Sequence, residues 1–283
     1  MIVKPHITVA SQGGSSSRAA LRWTADLLQS LIADVTLVTV ESTPSPSAAL
    51  HLESVETVLR TMVEGSIVDG QSRVGDPVDQ LVDAATSNGS ELIVIGGRPA
   101  VGIAIHGSVH GRLAATSPVP VAVVPAGWRR GGGPITVGVS ADSASDDAID
   151  YAASLARRTG SDLRLTSVWE AAVAGDMELR TGAESIPDRA RSDLEALVAE
   201  LRRSDPDLNI SLDLRTGDAV GSLADAGEEA SLLVLGRRHH TALGRVVGSH
   251  TARVLAELPC PVIVVPVAHQ GIRVAAGADH EEL

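Results

Sequence analysis

Short runs of β-branched and aliphatic residues alternate along this chain with longer stretches whose apolar positions recur every three or four residues. The first pattern is that of a buried strand and the second that of an amphipathic helix, and their alternation builds a parallel sheet covered by helices. Strands are expected at 6–10, 34–40, 67–74, 91–96 and 119–124, and again at 134–139, 162–169, 208–215, 231–236 and 261–266. In the first helix Ala19, Trp23, Ala25 and Leu27 with Leu28 supply the inner face.

The second set of elements copies the first. "ELIVIGGRPAVGIAIHGSVHGRLAATSPVPVAVVPAG", from Glu91, matches "SLLVLGRRHHTALGRVVGSHTARVLAELPCPVIVVPVA", from Ser231, in order and spacing. Upstream, "SRVGDPVDQLVDAA" matches "LRTGDAVGSLADAG", and "ITVASQGGSSSRAALRWTADLL" matches "ITVGVSADSASDDAIDYAASLA". A repeat of this kind fixes the architecture before any motif is weighed. Between the copies "AGWRRGGG" carries three consecutive glycines, which weaken helix and strand alike and mark a linker. The expected organisation is a first domain at 1–126, a linker at 127–133, a second domain at 134–268 and a disordered tail at 269–283. The copies differ most over Thr43 to Gly65 and Ala171 to Asp205, where "PDRARSDLEALVAELRRSDPD" reads as an amphipathic helix laced with charge.

Composition narrows what such domains can do. With Trp 3, Tyr 1 and Phe 0, the cores must be aliphatic and base-stacking platforms are missing. The net charge of -12 argues against nucleic acid, whose phosphates need a basic field. Lys4 is the sole lysine, which excludes a Walker-type phosphate loop and disfavours a Schiff-base mechanism. The opening "MIVKPHITVA" lacks the features of a signal peptide and no long apolar run follows, so the expectation is a cytoplasmic protein with no membrane partner. Cys260, alone of its kind, reads as a small buried hydrophobe.

In an open α/β sheet, ligands sit beyond the carboxyl ends of the strands where strand order reverses. The loops after strands one and four of each copy are therefore the candidate sites. After the fourth strand, "IVIGG" and "LVLGR" run into a loop that ends in Gly107-Ser108 and Gly248-Ser249 at a helix start. Glycines allow close backbone approach and a helix start presents free N–H groups, a seat for an anionic group. The same residues also read simply as a Ser N-cap behind a flexible loop.

These loops resemble those of the universal stress protein family, whose hallmark is a strand such as "VIVG" followed by glycine, two residues, glycine, nine residues, then Gly-Ser or Gly-Thr. The resemblance covers both halves nearly end to end, including "SPVPVAVVP" and "LPCPVIVVP". It implies two tandem Rossmann-like (adenine nucleotide alpha hydrolase-like) α/β domains, each a five-stranded parallel sheet with helices on both faces. It implies ATP, as Mg-ATP, as the ligand of some members, and a regulatory role in the stress response without enzymatic activity. It also implies that "PVAVVP" and "PVIVVP" meet edge to edge, making one chain an intramolecular pseudo-dimer, with a further homodimer left open.

Carried onto this sequence, the resemblance points to Gln12, Gly96, Gly107 and Ser108 in the first copy. In the second copy it points to Ser140, Gly236, Arg237, His239, Gly248, Ser249 and His250. The pattern is degenerate. Pro99 and His239 replace the second loop glycine, both loops are shorter than the family's, and Gln12 and Ser140 stand where ATP-binding members carry an Asp. Asp142, Asp146, Asp147 and Asp150 make the second mouth acidic, which suits a helix dipole but repels a triphosphate. ATP binding is thus expected to be weak or lost in at least one domain, with the second site favoured.

Other constellations read more plainly. His106 and His110 lie four apart, a spacing that suits a metal, but no third ligand accompanies them. His239 and His240 read as solvated loop residues or as phosphate contacts when protonated. No Gly-x-Ser-x-Gly elbow supports a hydrolase. "SQGGSSSRAAL" resembles the Ser-Gly-Gly-x-Asp-Ser loop of pyrophosphate-releasing adenylating enzymes, though Ser16 stands at its Asp. Three classes are left: a nucleotide-binding stress regulator, a nucleotide-independent interaction scaffold, and an adenylating enzyme.

Overall fold

The computed structural model describes residues 4–63, 65–98, 107–140, 145–169, 188–237 and 249–267. The first half runs β1 (His6–Ala10), α1 (Gly14–Leu27), β2 (Asp34–Glu41), α2 (Pro46–Met62), β3 (Val68–Val74), α3 (Pro77–Ser87), β4 (Leu92–Gly97), α4 (Val109–Thr116) and β5 (Val121–Pro125). The second runs β6 (Ile135–Val139), α5 (Asp146–Thr159), β7 (Leu163–Trp169), α6 (Asp188–Ser204), β8 (Ile210–Thr216), α7 (Ala219–Glu228), β9 (Leu232–Gly236), α8 (Ser249–Glu257) and β10 (Val262–Val265). All ten expected strands form, their ends within two residues of those expected. The expected tail at 269–283 lies outside the described residues.

The strands join one ten-stranded sheet in the order β3-β2-β1-β4-β5-β10-β9-β6-β7-β8. Within each half every pairing is parallel; only β5 and β10 run antiparallel. Ile263 pairs with Ala122, its counterpart in the repeat, so a pseudo-two-fold axis passes between them. Prolines flank both strands, at Pro120 and Pro125 and at Pro261 and Pro266. They cannot donate to a ladder and so confine the junction to a short central run.

Local chemistry explains the helix starts. The Gly-Asp pair repeated in both halves supplies a turn at Gly75 (φ 139°) and Gly217 (φ 126°), followed by a capping carboxylate. Asp76 accepts from the Val78 N–H at 2.9 Å ahead of α3, and Asp218 accepts from the Gly221 N–H at 2.8 Å ahead of α7. By contrast, α1 opens on Gly13 and Gly14 (φ 79° and 80°) with no side chain capping it.

Two aliphatic layers cover the two sheet faces, and both cross the domain boundary. One joins Val124 and Ile263 to Leu37 and Leu165; the other joins Val123 and Val262 to Ile93 and Leu233. Each fully buried side chain of this size contributes about 1.5–3 kcal/mol. The inner face of α1 holds Ala19, Trp23 and Ala25 as expected, and adds Ala20 and Thr24, whose hydroxyl donates to the Ala20 carbonyl at 2.9 Å. Leu27 is only partly buried, and Leu28 is buried just past the helix end. The segment between the domains is held in place: Arg130 pairs with Asp26 at 3.0 Å, and a side chain at Gly133 would fall 2.4 Å from the Glu229 carbonyl oxygen.

Candidate functional site

Strand order reverses between β1 and β4 in the first half and between β6 and β9 in the second, the switch points beyond whose strand ends open α/β sheets hold their ligands. The first holds a cavity of about 180 Å³. Its walls come from the ends of β1, β2 and β4 and from the first turns of α1, α3 and α4.

Gln12, at the position where an Asp would sit, is exposed but held in place. Its amide donates to the Val40 carbonyl at 2.5 Å, drawing the loop after β1 onto β2. Beneath it Ser11 is fully buried, with its hydroxyl 3.2 Å from His51 Nε2 and its carbonyl accepting from the Thr39 hydroxyl.

Gly96 is a glycine for the sake of α1. A Cβ there would lie 2.1 Å from the Ser16 carbonyl oxygen, so the helix backbone occupies the space a side chain would need. Gly107 is exposed, with open space where its Cβ would be. Ser108 caps α4 by accepting from the Gly111 N–H at 3.1 Å. Arg98 stands at the mouth, its Nε donating to Ser16 Oγ at 3.2 Å.

Three residues that the motif does not mark complete this crevice. Ser16, Ser17 and His110 all line it. Ser17 is 7% exposed, and neither its Oγ nor His110 Nε2 has a hydrogen-bond partner. Burial lowers the His110 pKa, keeping its imidazole neutral. The neighbouring Asp76 is held below the usual carboxylate range by the guanidinium of Arg112, at 3.1 Å. The sequence signals for Ser16 and Ser17 were their place in a serine run at a helix start and the likeness of that run to an adenylating-enzyme loop.

The second crevice is built differently. The Ser140 N–H donates to Ser145 Oγ at 2.8 Å and the two hydroxyls lie 3.1 Å apart, which ties this residue to the start of α5. Gly236 ends β9, Ser249 opens α8 and His250 is half-buried in its first turn. His239 and Gly248 lie outside the described residues, as do Pro99, His106, Asp142 and His240. Burial pushes the Asp150 carboxyl upward, and the like charges of Asp147 and Asp146 add to the shift.

Arg237 departs from the expected role. Instead of facing a ligand at the second crevice, its side chain crosses the domain boundary and is 6% exposed. Its guanidinium donates to the carbonyls of Ser117 at 2.7 Å and Ala114 at 3.4 Å, at the end of α4. A cation at a helix C-terminus satisfies carbonyls that the helix leaves open.

Among the described residues no group of three or more His, Cys, Asp or Glu could hold a metal ion, and no helix is long and apolar enough to cross a membrane.

The universal stress protein family model matches the chain twice, over residues 5–125 and 133–266. A universal stress protein of Mycobacterium tuberculosis is 29% identical over 240 residues, covering 77% of this chain and 79% of that one. One of Mycolicibacterium smegmatis is 26% identical over 286 residues, covering 92% and 96%. The crystal structure of a universal stress protein from Archaeoglobus fulgidus superposes with a TM-score of 0.68 at 17% identity, covering 93% of this chain and 98% of that one, a likeness of fold. With two matched copies spanning almost all of its sheet, this chain belongs to the universal stress protein family, in a tandem two-domain form.

Proposed function

We propose that this chain is a cytoplasmic regulator of the stress response, not an enzyme, and that it binds an adenine nucleotide weakly and at one of its two crevices, that of the second domain. The observation that carries this reading is the unequal treatment of the first strand's end. In the first domain Gln12 bridges to Val40 on the neighbouring strand β2, whereas in the second Ser140 is tied to Ser145. The first crevice, at about 180 Å³, also falls below the roughly 300 Å³ at which pockets for drug-sized ligands begin. In the second, Gly236, Ser249 and His250 with the loop residues His239 and Gly248 would face the phosphates, and Arg237 would act on the domain junction.

Isothermal titration of the full chain with Mg-ATP tests this. The expected result is a single site weaker than micromolar, unaffected by Gln12→Ala. Two micromolar sites would overturn it, and ATP–pyrophosphate exchange would move the protein to the adenylating enzymes. A nucleotide-independent scaffold is the second reading, favoured by one feature: Leu50, Val58 and Met62 are exposed along the outer side of α2, where the matching helix α6 is charged. Native mass spectrometry of the protein mixed with excess Mg-ATP separates the two, since only the first predicts a complex with one nucleotide.

A further inference from the structure

We propose that two copies of this chain pair through β3, edge to edge and antiparallel about Gln71, so that Asp69 of each copy faces Arg73 of the other and one continuous sheet joins them.

The ten-stranded sheet has two open edges, β3 and β8. On β3 the phase of the ladder is fixed at both ends: the Val35 N–H donates to the Ile67 carbonyl at 2.8 Å and the Gly75 N–H to the Glu41 carbonyl at 3.1 Å. Odd-numbered residues therefore direct their main-chain groups at β2, and those of Val68, Gly70, Ser72 and Val74 point away from the sheet. Arg60 covers the Val68 carbonyl at 2.7 Å, and beyond it the edge carries no proline or lysine. Outward donors and acceptors of this kind are a template for another strand.

The chemistry of the edge selects that strand. Val68-Asp69-Gly70-Gln71-Ser72-Arg73-Val74 is complementary to its own reverse. Laid antiparallel on a second copy with Gln71 at the centre, Gly70 meets Ser72 with the main-chain groups of both pointing at each other, as a hydrogen-bonded pair requires. Asp69 then meets Arg73 twice, each time in the non-hydrogen-bonded position where side chains come closest. At the ends Val74, 46% exposed in the single chain, meets Val68. Sliding the register by two residues either way removes both charge pairs. The guanidinium is held ready on this face, since Arg73 pairs with Asp83 of α3 and its Nε donates to Gln71 Oε1 at 3.3 Å, while Asp69 is exposed.

The other edge is built against the same pairing. In β8, Asp213 stands where β3 has Gln71, and Ser211 where it has Asp69. Pairing β8 with itself would set Asp213 directly against its own copy, and like charges so placed oppose association. A β3–β8 contact would keep one of the two charge pairs and leave an open edge at each end. Pairing β3 with β3 keeps both and closes on a two-fold axis.

One strand of 7 residues on each side buries less than the roughly 1,200 Å² of a standard interface, so a weak dimer is expected. Sedimentation velocity of the full chain tests this, with monomer expected at about 1 μM and dimer at about 1 mM. Asp69→Arg and Arg73→Asp should each weaken the dimer by about tenfold or more, because each sets like charges opposite one another twice. Mixed in equal amounts, the two variants should recover it, since every Arg then meets an Asp of the other chain. Ser72→Pro removes an outward N–H and leaves the β2 ladder intact, so it should keep the thermal midpoint and lose the dimer. A monomer at every concentration, a dimer unchanged by Ser72→Pro or by either charge variant, or a series of higher oligomers would each overturn the assignment. So would mixed charge variants that are folded by circular dichroism and stay monomeric.

Discussion

The Arg237 guanidinium donates to the main-chain carbonyl of Ser117 across the domain boundary at 2.7 Å. The repeat gives this pair a counterpart: Gly97 corresponds to Arg237 and Leu258 to Ser117. There the Leu258 side chain packs on Gly97, 2.7 Å from where a Cβ would be. Large meets small at both places, with the order reversed. A first domain paired with its own copy would set Gly97 against Ser117 and leave a void, while a second domain so paired would press Arg237 on Leu258. The junction is thus shaped for the tandem pair.

Replacing Arg237 with Ala should weaken that junction. The change leaves helix-end carbonyls of α4 unpaired in a buried place and removes the stem that fills it. A loss of about 2–4 kcal/mol is expected. Calorimetric unfolding should then separate into two transitions as the domains uncouple. An unchanged single transition would show that β5–β10 pairing alone holds the halves together.

The motif glycines should divide into structural and dispensable ones. Gly96→Ala drives a methyl into the Ser16 backbone, which cannot yield as a side-chain tip could, and should cost about 1–3 kcal/mol in urea unfolding. Gly107→Ala meets nothing and should stay within about 0.5 kcal/mol. Equal losses at both positions would contradict the packing role assigned to Gly96.

The strands were legible because buried parallel strands are near-continuous aliphatic runs, and Val121–Pro125 and Val262–Val265 announce themselves twice through the repeat. The Gly-Asp turns were equally local. Arg237 was not legible: its loop position suggested a ligand, and its true direction depends on the β5–β10 register, a relation between residues more than a hundred apart in the chain. Ser17 was hidden for a similar reason. A serine run at a helix start reads as surface, and only the placement of α1 against Gly96 buries it.

Stability should decline on mild acidification. Burial lowers the His110 pKa from its ordinary 6.5, and does the same at His6, where it outweighs Asp34 and Asp69. As pH falls through about 6.5 the unfolded chain takes up protons that the folded chain resists, so the stability present above that value is progressively lost below it. The thermal midpoint should drop between pH 7 and about 5.5, above the range where most carboxylates titrate. His110→Gln should flatten part of that slope; a slope unchanged by it would remove His110 as a cause.

Cys260 should report the opening of the second domain. It is 6% exposed, its Sγ donates to the Pro261 carbonyl at 3.3 Å, and burial pushes its thiol up to about 12. At pH 8 only about one thiol in ten thousand would be ionised, and the thiolate is the reactive form. A disulfide reagent should therefore leave the native chain untouched and titrate one thiol per chain in denaturant. Because the Cys260 side chain is covered by α7 near Gly227, labelling in native buffer requires local opening. Its rate should rise in Arg237→Ala if the junction contributes to holding that region shut. Rapid labelling of the wild type would show that the thiol is reached without opening.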